Sequence, residues 1–318
     1  MRARDIDKID IAETPNMHSG HGKAYLGLAF AVFCWAANTV LARGVANDIL
    51  PITLAFWRWA FALVIILPFS SGHVWRERDE IRKNLFPLLV LSFFSVAVYN
   101  SLLYIAARST TATNMSIVTA SMPAITLLAA RAILKEVPTL VQTGGVIISA
   151  IGMLIIIFKG STASLFSLDF NYGDLLVVGS ILSWSVYSVL IRKFKLALHP
   201  LTFLTMTIMI GSLIIAPFYC WEAFAWAQHG LLVRNMHVFL FLAVFPSIIA
   251  YLFWNNGVIN VGPGKAAMFI YLLPLFGAVL ALVLLGETIF TYHFFGGLLI
   301  FIGLYLAIKK ETKFRTIT

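Results

Sequence analysis

"PITLAFWRWAFALVIILPF", residues 51–69, and "PLTFLTMTIMIGSLIIAPF", residues 200–218, are one segment written twice. A shift of 149 positions lays Pro51, Thr53, Pro68 and Phe69 on Pro200, Thr202, Pro217 and Phe218, and also Trp35, Leu41 and Arg43 on Trp184, Leu190 and Arg192. A second block follows at a shift of 151, where Pro123, Glu136, Gly145, Gly152 and Lys159 fall on Pro274, Glu287, Gly296, Gly303 and Lys310. Chance matches of Leu are common among apolar helices, but Trp, Pro, Glu and Gly paired in fixed order mark an internal repeat.

Each copy of the segment is close to the roughly 20 apolar residues that cross about 30 Å of hydrocarbon. Such runs recur along the chain, at about 24–42, 51–69, 85–107, 113–134, 139–158, 173–192, 201–220, 237–259, 265–285 and 289–308. With 60% hydrophobic and 12% charged residues in 318, the composition is that of an integral membrane protein. The runs are continuously apolar and about twice the length of a barrel strand, so they read as helices. The expected fold is all-α, with ten transmembrane helices in two five-helix repeats, residues 24–160 and 173–310. Polar cytoplasmic tails are expected at 1–22 and 311–318. Five is odd, so the second unit enters the membrane from the opposite side and the repeats are inverted.

The net charge of +9 is explained by its distribution rather than by nucleic acid. Arg43, Arg108, Lys159 and Arg234 fall in outer connections, Arg58 and Arg131 within spans, and the rest of the 23 basic residues on one side. That bias places both termini in the cytoplasm. The two cysteines, Cys34 and Cys220, form no disulfide or metal pattern, and no cofactor or metal is expected.

An inverted repeat about a pseudo-two-fold axis is a common build for secondary transporters, because exchanging the conformations of the halves converts an inward-open state to an outward-open one. An intramembrane enzyme is disfavoured by the lack of HExxH, a buried carboxylate pair or a Ser/His/Asp arrangement. No GxxxxGK[ST] loop is present for primary pumping. A non-transporting receptor is the other rival class.

The sequence resembles the EamA-type branch of the drug/metabolite transporter superfamily. The resemblance rests on "PITLAFWR" opening span two, "LYIAARSTTATNMSIVTASMP" across spans three and four, and the glutamate and glycines that follow. In the second half it rests on "YLFWNNGVINVGPGKAAMFIYLLPLFGAVLALVLLGE". "LKE" at 134–136 stands where the family usually has glycine before the glutamate, as in "LGE" at 285–287. The resemblance implies a central cavity and export of amino acids or other small metabolites across the inner (plasma) membrane. A facilitator or importer of a nucleobase, nucleotide or other metabolite is the alternative.

Polar and aromatic residues within spans are the candidate substrate-binding set, since an unpaired amide in hydrocarbon costs several kcal/mol. They are Trp35, Asn38, Arg58, Asn100, Tyr104, Asn114, Trp184, Tyr187, Tyr251, Trp254, Asn255 and Tyr271. Arg58 shares a helical face with Ala55 and Ala62, which leave it a lane to a neighbouring helix. Its counterpart is Thr207, so its role is not symmetric. Pro123 and Pro274 interrupt equivalent spans and are candidate hinges. Gly145, Ser149 and Gly152, with Gly296 and Gly303, read as packing seams. The expected partners are the bilayer and a small-molecule substrate, with protons the candidate coupling ion although no acid occupies mid-span.

Overall fold

The computed structural model describes residues 17–45, 49–161, 171–226, 234–285, 288 and 290–308, with side chains described except at 17–20, 39–45, 112, 225–226 and 284–285. The expected tail 311–318 and Glu287 lie outside these residues, as does all but the last part of the tail 1–22. Ten long helices run through the rest: α1 (Met17–Val45), α2 (Pro51–Arg76), α3 (Leu85–Ala106), α4 (Ala112–Thr119 and Met122–Leu134), α5 (Leu140–Ile157), α6 (Tyr172–Phe194), α7 (Pro200–Trp226), α8 (Met236–Val261), α9 (Pro263–Leu285, in three segments) and α10 (Thr291–Ile308). Among the described residues, nine helical stretches, α2 to α10, are long and apolar enough to cross a membrane. α1 starts seven residues before the apolar run that predicts it, and α2 and α7 run past theirs to Arg76 and Trp226.

Local chemistry sets several helix ends. Pro51 opens α2 after extended Leu50, where its missing N–H would have no partner in any case. α6 begins at a capping box, with Asn171 receiving the Gly173 N–H and Asp174 receiving the Asn171 N–H. α4 and α6 end at lysines in the left-handed region, Lys135 at φ 58° and Lys195 at φ 47°. That conformation explains the usual glycine before the glutamate: glycine adopts it without steric cost, and lysine does not.

The packing exchanges the halves. α1 packs on α8 and α9, and its equivalent α6 packs on α3 and α4; α2 meets α7, and α5 meets α10. The equivalent pairs run antiparallel. Thr53 meets Glu222, Phe56 stacks on Tyr219 at 4.3 Å, and His73 stacks on His199 at 3.9 Å along α2 and α7. Along α5 and α10, a Cβ on Gly145 would stand 2.5 Å from the carbonyl oxygen of Gly303, and one on Gly152 equally close to that of Gly296. The glycines therefore let two backbones touch, and Ser149 adds a hydrogen bond to the Ile300 carbonyl at 3.2 Å.

Both proline interruptions take the form of a break followed by a new helix. α4 turns at Ala120–Ser121, and Pro123 lies in the first turn of the following segment, where no N–H is needed. α9 passes through a 3-10 stretch, Phe269–Leu272, before its last segment starts at Leu273. Two further irregularities were not expected. α3 and α8 each contain a π-helical stretch, Phe93–Val98 and Ala243–Ile249, at equivalent positions of the repeat.

Candidate functional site

A π-helical stretch leaves carbonyls out of register with the helical ladder and available to side chains. Ser95 and Pro246, equivalent at the shift of 151, supply one such carbonyl each. The Pro246 carbonyl accepts from Trp35 Nε1 at 3.0 Å and from Arg58 Nη2 at 3.0 Å. The Ser95 carbonyl accepts from Asn100 Nδ2 at 3.0 Å and from Tyr251 OH at 3.1 Å. Each interrupted helix thus offers a carbonyl to the other half, Pro246 to Trp35 and Arg58 and Ser95 to Tyr251, with Ser95 also held by Asn100 of its own helix.

Arg58 is 2% exposed, and the lane left by Ala55 and Ala62 is where it packs. Besides Pro246, its Nε donates to Ser247 Oγ at 2.6 Å, and its Nη1 donates to Asn100 Oδ1 at 3.0 Å and Tyr104 OH at 2.8 Å. Four hydrogen bonds therefore tie α2 to α3 and α8, and none of the acceptors is a carboxylate. The guanidinium also lies 4.8 Å from the ring centroid of Trp59. The Ser247 hydroxyl in turn donates to the Leu242 carbonyl at 2.7 Å, a bond the π stretch makes possible.

Next to this network the predicted aromatic residues converge in one box. Trp35 contacts Trp184 and Trp254, each at 5.2 Å between centroids, and Trp184 contacts Tyr187 and Tyr251, also at 5.2 Å. Tyr251 meets Trp59 at 5.0 Å. Tyr187 OH donates to Asn255 Oδ1 at 2.8 Å, and Trp254 Nε1 donates to Ser188 Oγ at 3.2 Å. Nine predicted residues, Trp35, Arg58, Asn100, Tyr104, Trp184, Tyr187, Tyr251, Trp254 and Asn255, thereby form one connected set.

The other three do not join it by any direct contact described. Asn38 lies one turn beyond Trp35, with a buried Oδ1 that has no partner. Tyr271 is fully buried on the bent segment of α9, its OH unpaired. Asn114 belongs to a different cluster at the start of α4, where its Nδ2 donates to Asp174 Oδ2 at 3.1 Å and Thr110 Oγ1 donates to Asp174 Oδ1. The rings fill the centre where an open cavity was expected: Trp184, Trp254, Tyr187 and Tyr251 are all buried, because edge-to-face contacts close the space between them. On the flank between α3 and α7, Leu89, Val90, Phe93, Phe94 and Ile214 line only an open, shallow apolar depression.

Sequence reasoning missed Ser95, Pro246 and Ser247, which look like ordinary small or helix-breaking residues until the π stretches turn their polar atoms inward. It also missed two acids. Asp174 is buried at the α6 cap, and Glu222, near the end of α7, accepts from the Ile52 N–H at 3.3 Å, the Thr53 N–H at 2.6 Å and the Thr53 hydroxyl at 2.8 Å. At the other end of the same helix pair, Glu77 receives the His199 N–H at 3.0 and 3.1 Å. Each helix thus supplies a glutamate to the start of the other. Glu136, singled out by the repeat, pairs with Arg192 at 3.3 Å.

Comparison with known proteins agrees with this architecture. The chain is 27% identical over 283 residues to YyaM of Bacillus subtilis, described as an uncharacterized transporter, an alignment covering 88% of this chain and 91% of that one. An uncharacterized transporter of Archaeoglobus fulgidus is 26% identical over 300 residues, covering 92% and 99%. A WAT1-related protein of Arabidopsis thaliana is 24% identical over 318 aligned residues, covering 90% and 78%. A solved crystal structure with 16% identity matches with a TM-score of 0.72 over 91% of this chain and 97% of its own, which supports the fold alone. The model of the EamA-like transporter family matches residues 22–158 and again 171–309, one match to each five-helix half, and the chain belongs to that family of multi-pass membrane transporters.

Proposed function

We propose that the protein is a secondary transporter of the inner (plasma) membrane that exports amino acids or similar small metabolites by alternating access. In this reading its halves are inverted across the bilayer and both termini are cytoplasmic. The observation that carries the reading is an asymmetry between equivalent groups. Trp35 and Trp184 are equivalent, as are the carbonyls of Pro246 and Ser95. Trp35 Nε1 holds the Pro246 carbonyl, while Trp184 Nε1 is buried without a partner. In a molecule with two-fold pseudo-symmetry the opposite arrangement puts Trp184 on the Ser95 carbonyl in place of Asn100 or Tyr251, which hold it here, and releases Trp35. Exchange of these two bonds converts one half's conformation into the other's, as alternating access requires. The ring box is the substrate site in its closed form, and the breaks before Pro123 and Pro274 are the hinges that open it.

The test is flux. The full chain in proteoliposomes, loaded with radiolabelled amino acids, nucleobases and organic cations in turn, is expected to give saturable protein-dependent efflux and counterflow of an amino acid or related metabolite. Binding without net flux rejects transport, and preferred movement of nucleobases favours the other transport reading. Trp35→Phe and Trp184→Phe are expected to shift the accessibility of reporter cysteines on the two sides in opposite directions. Shifts of the same sign refute the bond exchange.

A further inference from the structure

The polar inventory of the ring box is one-sided. Arg58 brings a buried positive charge whose four acceptors are all neutral. The buried polar atoms left without a partner there, Trp59 Nε1, Trp184 Nε1 and Asn255 Nδ2, are all donors; outside the box, Asn38 Oδ1 and the Tyr271 hydroxyl are also unpaired. Two acids able to balance a cationic guest are committed elsewhere, Asp174 to Thr110, Asn114 and Asn171 and Glu222 to the start of α2. Resting on the transport reading and narrowing it to metabolites that carry no ammonium group, we infer that the cargo is an organic anion, a solute with a carboxylate or a similar acidic oxygen group on an apolar body, and that organic cations are excluded.

The chemistry of both partners supports this. A carboxylate offers about four lone-pair sites and no donor, which is what a set of unpaired N–H groups requires. In a low-dielectric core it is attracted to the guanidinium, and an ammonium is repelled. Aromatic boxes also bind cations through exposed ring faces, but here those faces are taken. Trp35 and Trp184 meet edge to face at 87°, Trp59 and Tyr251 at 82°, and Arg58 already lies over Trp59. The carrier returns with Arg58 in place, so each cycle moves the charge of the cargo. An anion leaving a negative-inside cell is driven outward by the potential, and no protonatable group at mid-span is needed for coupling.

The experiment uses the purified full chain and two matched probe sets, 3-phenylpropionate with its amide and 3-phenylpropylamine, and hexanoate with hexanamide and hexylamine. Binding is read by tryptophan fluorescence and flux in proteoliposomes. Each carboxylate is expected to bind about tenfold more tightly than its amine, with the amide between, the difference one charge-assisted hydrogen bond supplies. Trp184→Phe keeps the ring and removes the N–H, and is expected to lower the ratio of carboxylate to amine affinity about fivefold, a factor within reach of one hydrogen bond. Arg58→Lys keeps the charge and is expected to keep the order, whereas Arg58→Gln narrows it. Amines binding as tightly as carboxylates, carboxylates failing to bind, or a ratio untouched by both Trp184→Phe and Arg58→Gln overturns the inference. Saturable flux of an amine would leave transport standing and remove the anion, while carboxylate binding in the expected order without flux would keep the anion site and remove transport.

Discussion

The bond between Arg58 and Ser247 joins the two halves at their centre, and a double-mutant cycle measures it. Arg58→Ala alone is a poor probe. It leaves Asn100 Oδ1 and the Tyr104 hydroxyl without their donor, at about 1–3 kcal/mol each. It also relieves the desolvation of a buried cation, worth several kcal/mol in the opposite direction. The cycle with Ser247→Ala cancels both contributions and leaves the pairwise part. The Nε to Oγ separation is 2.6 Å and both groups are buried. A hydrogen bond from a charged donor contributes about 1.5–3 kcal/mol in water-soluble proteins, while interhelical side-chain bonds in membranes reach a maximum of about 1.7. The expected coupling is therefore about 1.5 kcal/mol, where the two ranges overlap. Reversible unfolding in mixed micelles, followed through the eight tryptophans, gives the four free energies. A coupling below about 0.5 kcal/mol, the level at which independent sites add, would refute the placement of Arg58 on the α8 π stretch and the account of the site built on it.

Arg58→Ala is expected to lower transport more than Thr207→Ala at matched expression, because the Thr207 hydroxyl bonds only within its own helix, to the Leu204 carbonyl at 2.9 Å; equal flux in the two variants would contradict this. Glu222→Gln is expected to destabilise the protein by about 1 kcal/mol, the usual worth of a helix cap, with the loss seen as a lower unfolding midpoint; an unchanged midpoint argues against the cap. Gly152→Val puts a branched side chain where a Cβ would already meet the Gly296 carbonyl oxygen at 2.5 Å, so monodisperse yield in detergent is expected to collapse, and wild-type yield and stability would show that α5 and α10 do not touch there. Lys135→Gly relieves a left-handed residue at φ 58° and is expected to stabilise by about 1 kcal/mol; a loss of stability would mean that the lysine side chain has a role of its own.

How much of this was legible follows from what each signal is made of. Pro, Trp and Gly carry information at single positions, so Pro51 and Pro200, Trp35 and Trp184, and the four seam glycines disclosed the repeat and the helices. A charged residue in an apolar run is equally visible, and Arg58 led to its own network. The π stretches were not legible. "FFSVAV" and "AVFPSII" have the composition of any membrane helix, and an extra residue in a turn is a matter of register, not residue type. Ser95 and Ser247 were overlooked for the same reason. The partner of Asn114 was not legible, because its helix position says nothing about the neighbour at Asp174, 60 residues on. Glu222 lies beyond the apolar run that ends near residue 220, so hydropathy gives no sign that the helix carries it on to the start of α2. The closed centre also escaped notice, since a list of aromatic residues does not say whether rings line a space or occupy it.

The seam between α5 and α10 has a mechanical consequence. Gly145, Gly152, Gly296 and Gly303 bring main chain against main chain, and the Ser149 hydroxyl spans the gap. The backbone contacts at the four glycines have no side chain that could stretch to follow a separation, so parting the two helices there would lose them outright. If the halves rock as proposed, the motion has to leave this line intact, with the seam as the fulcrum and the ring box, on other helices, as the part that travels.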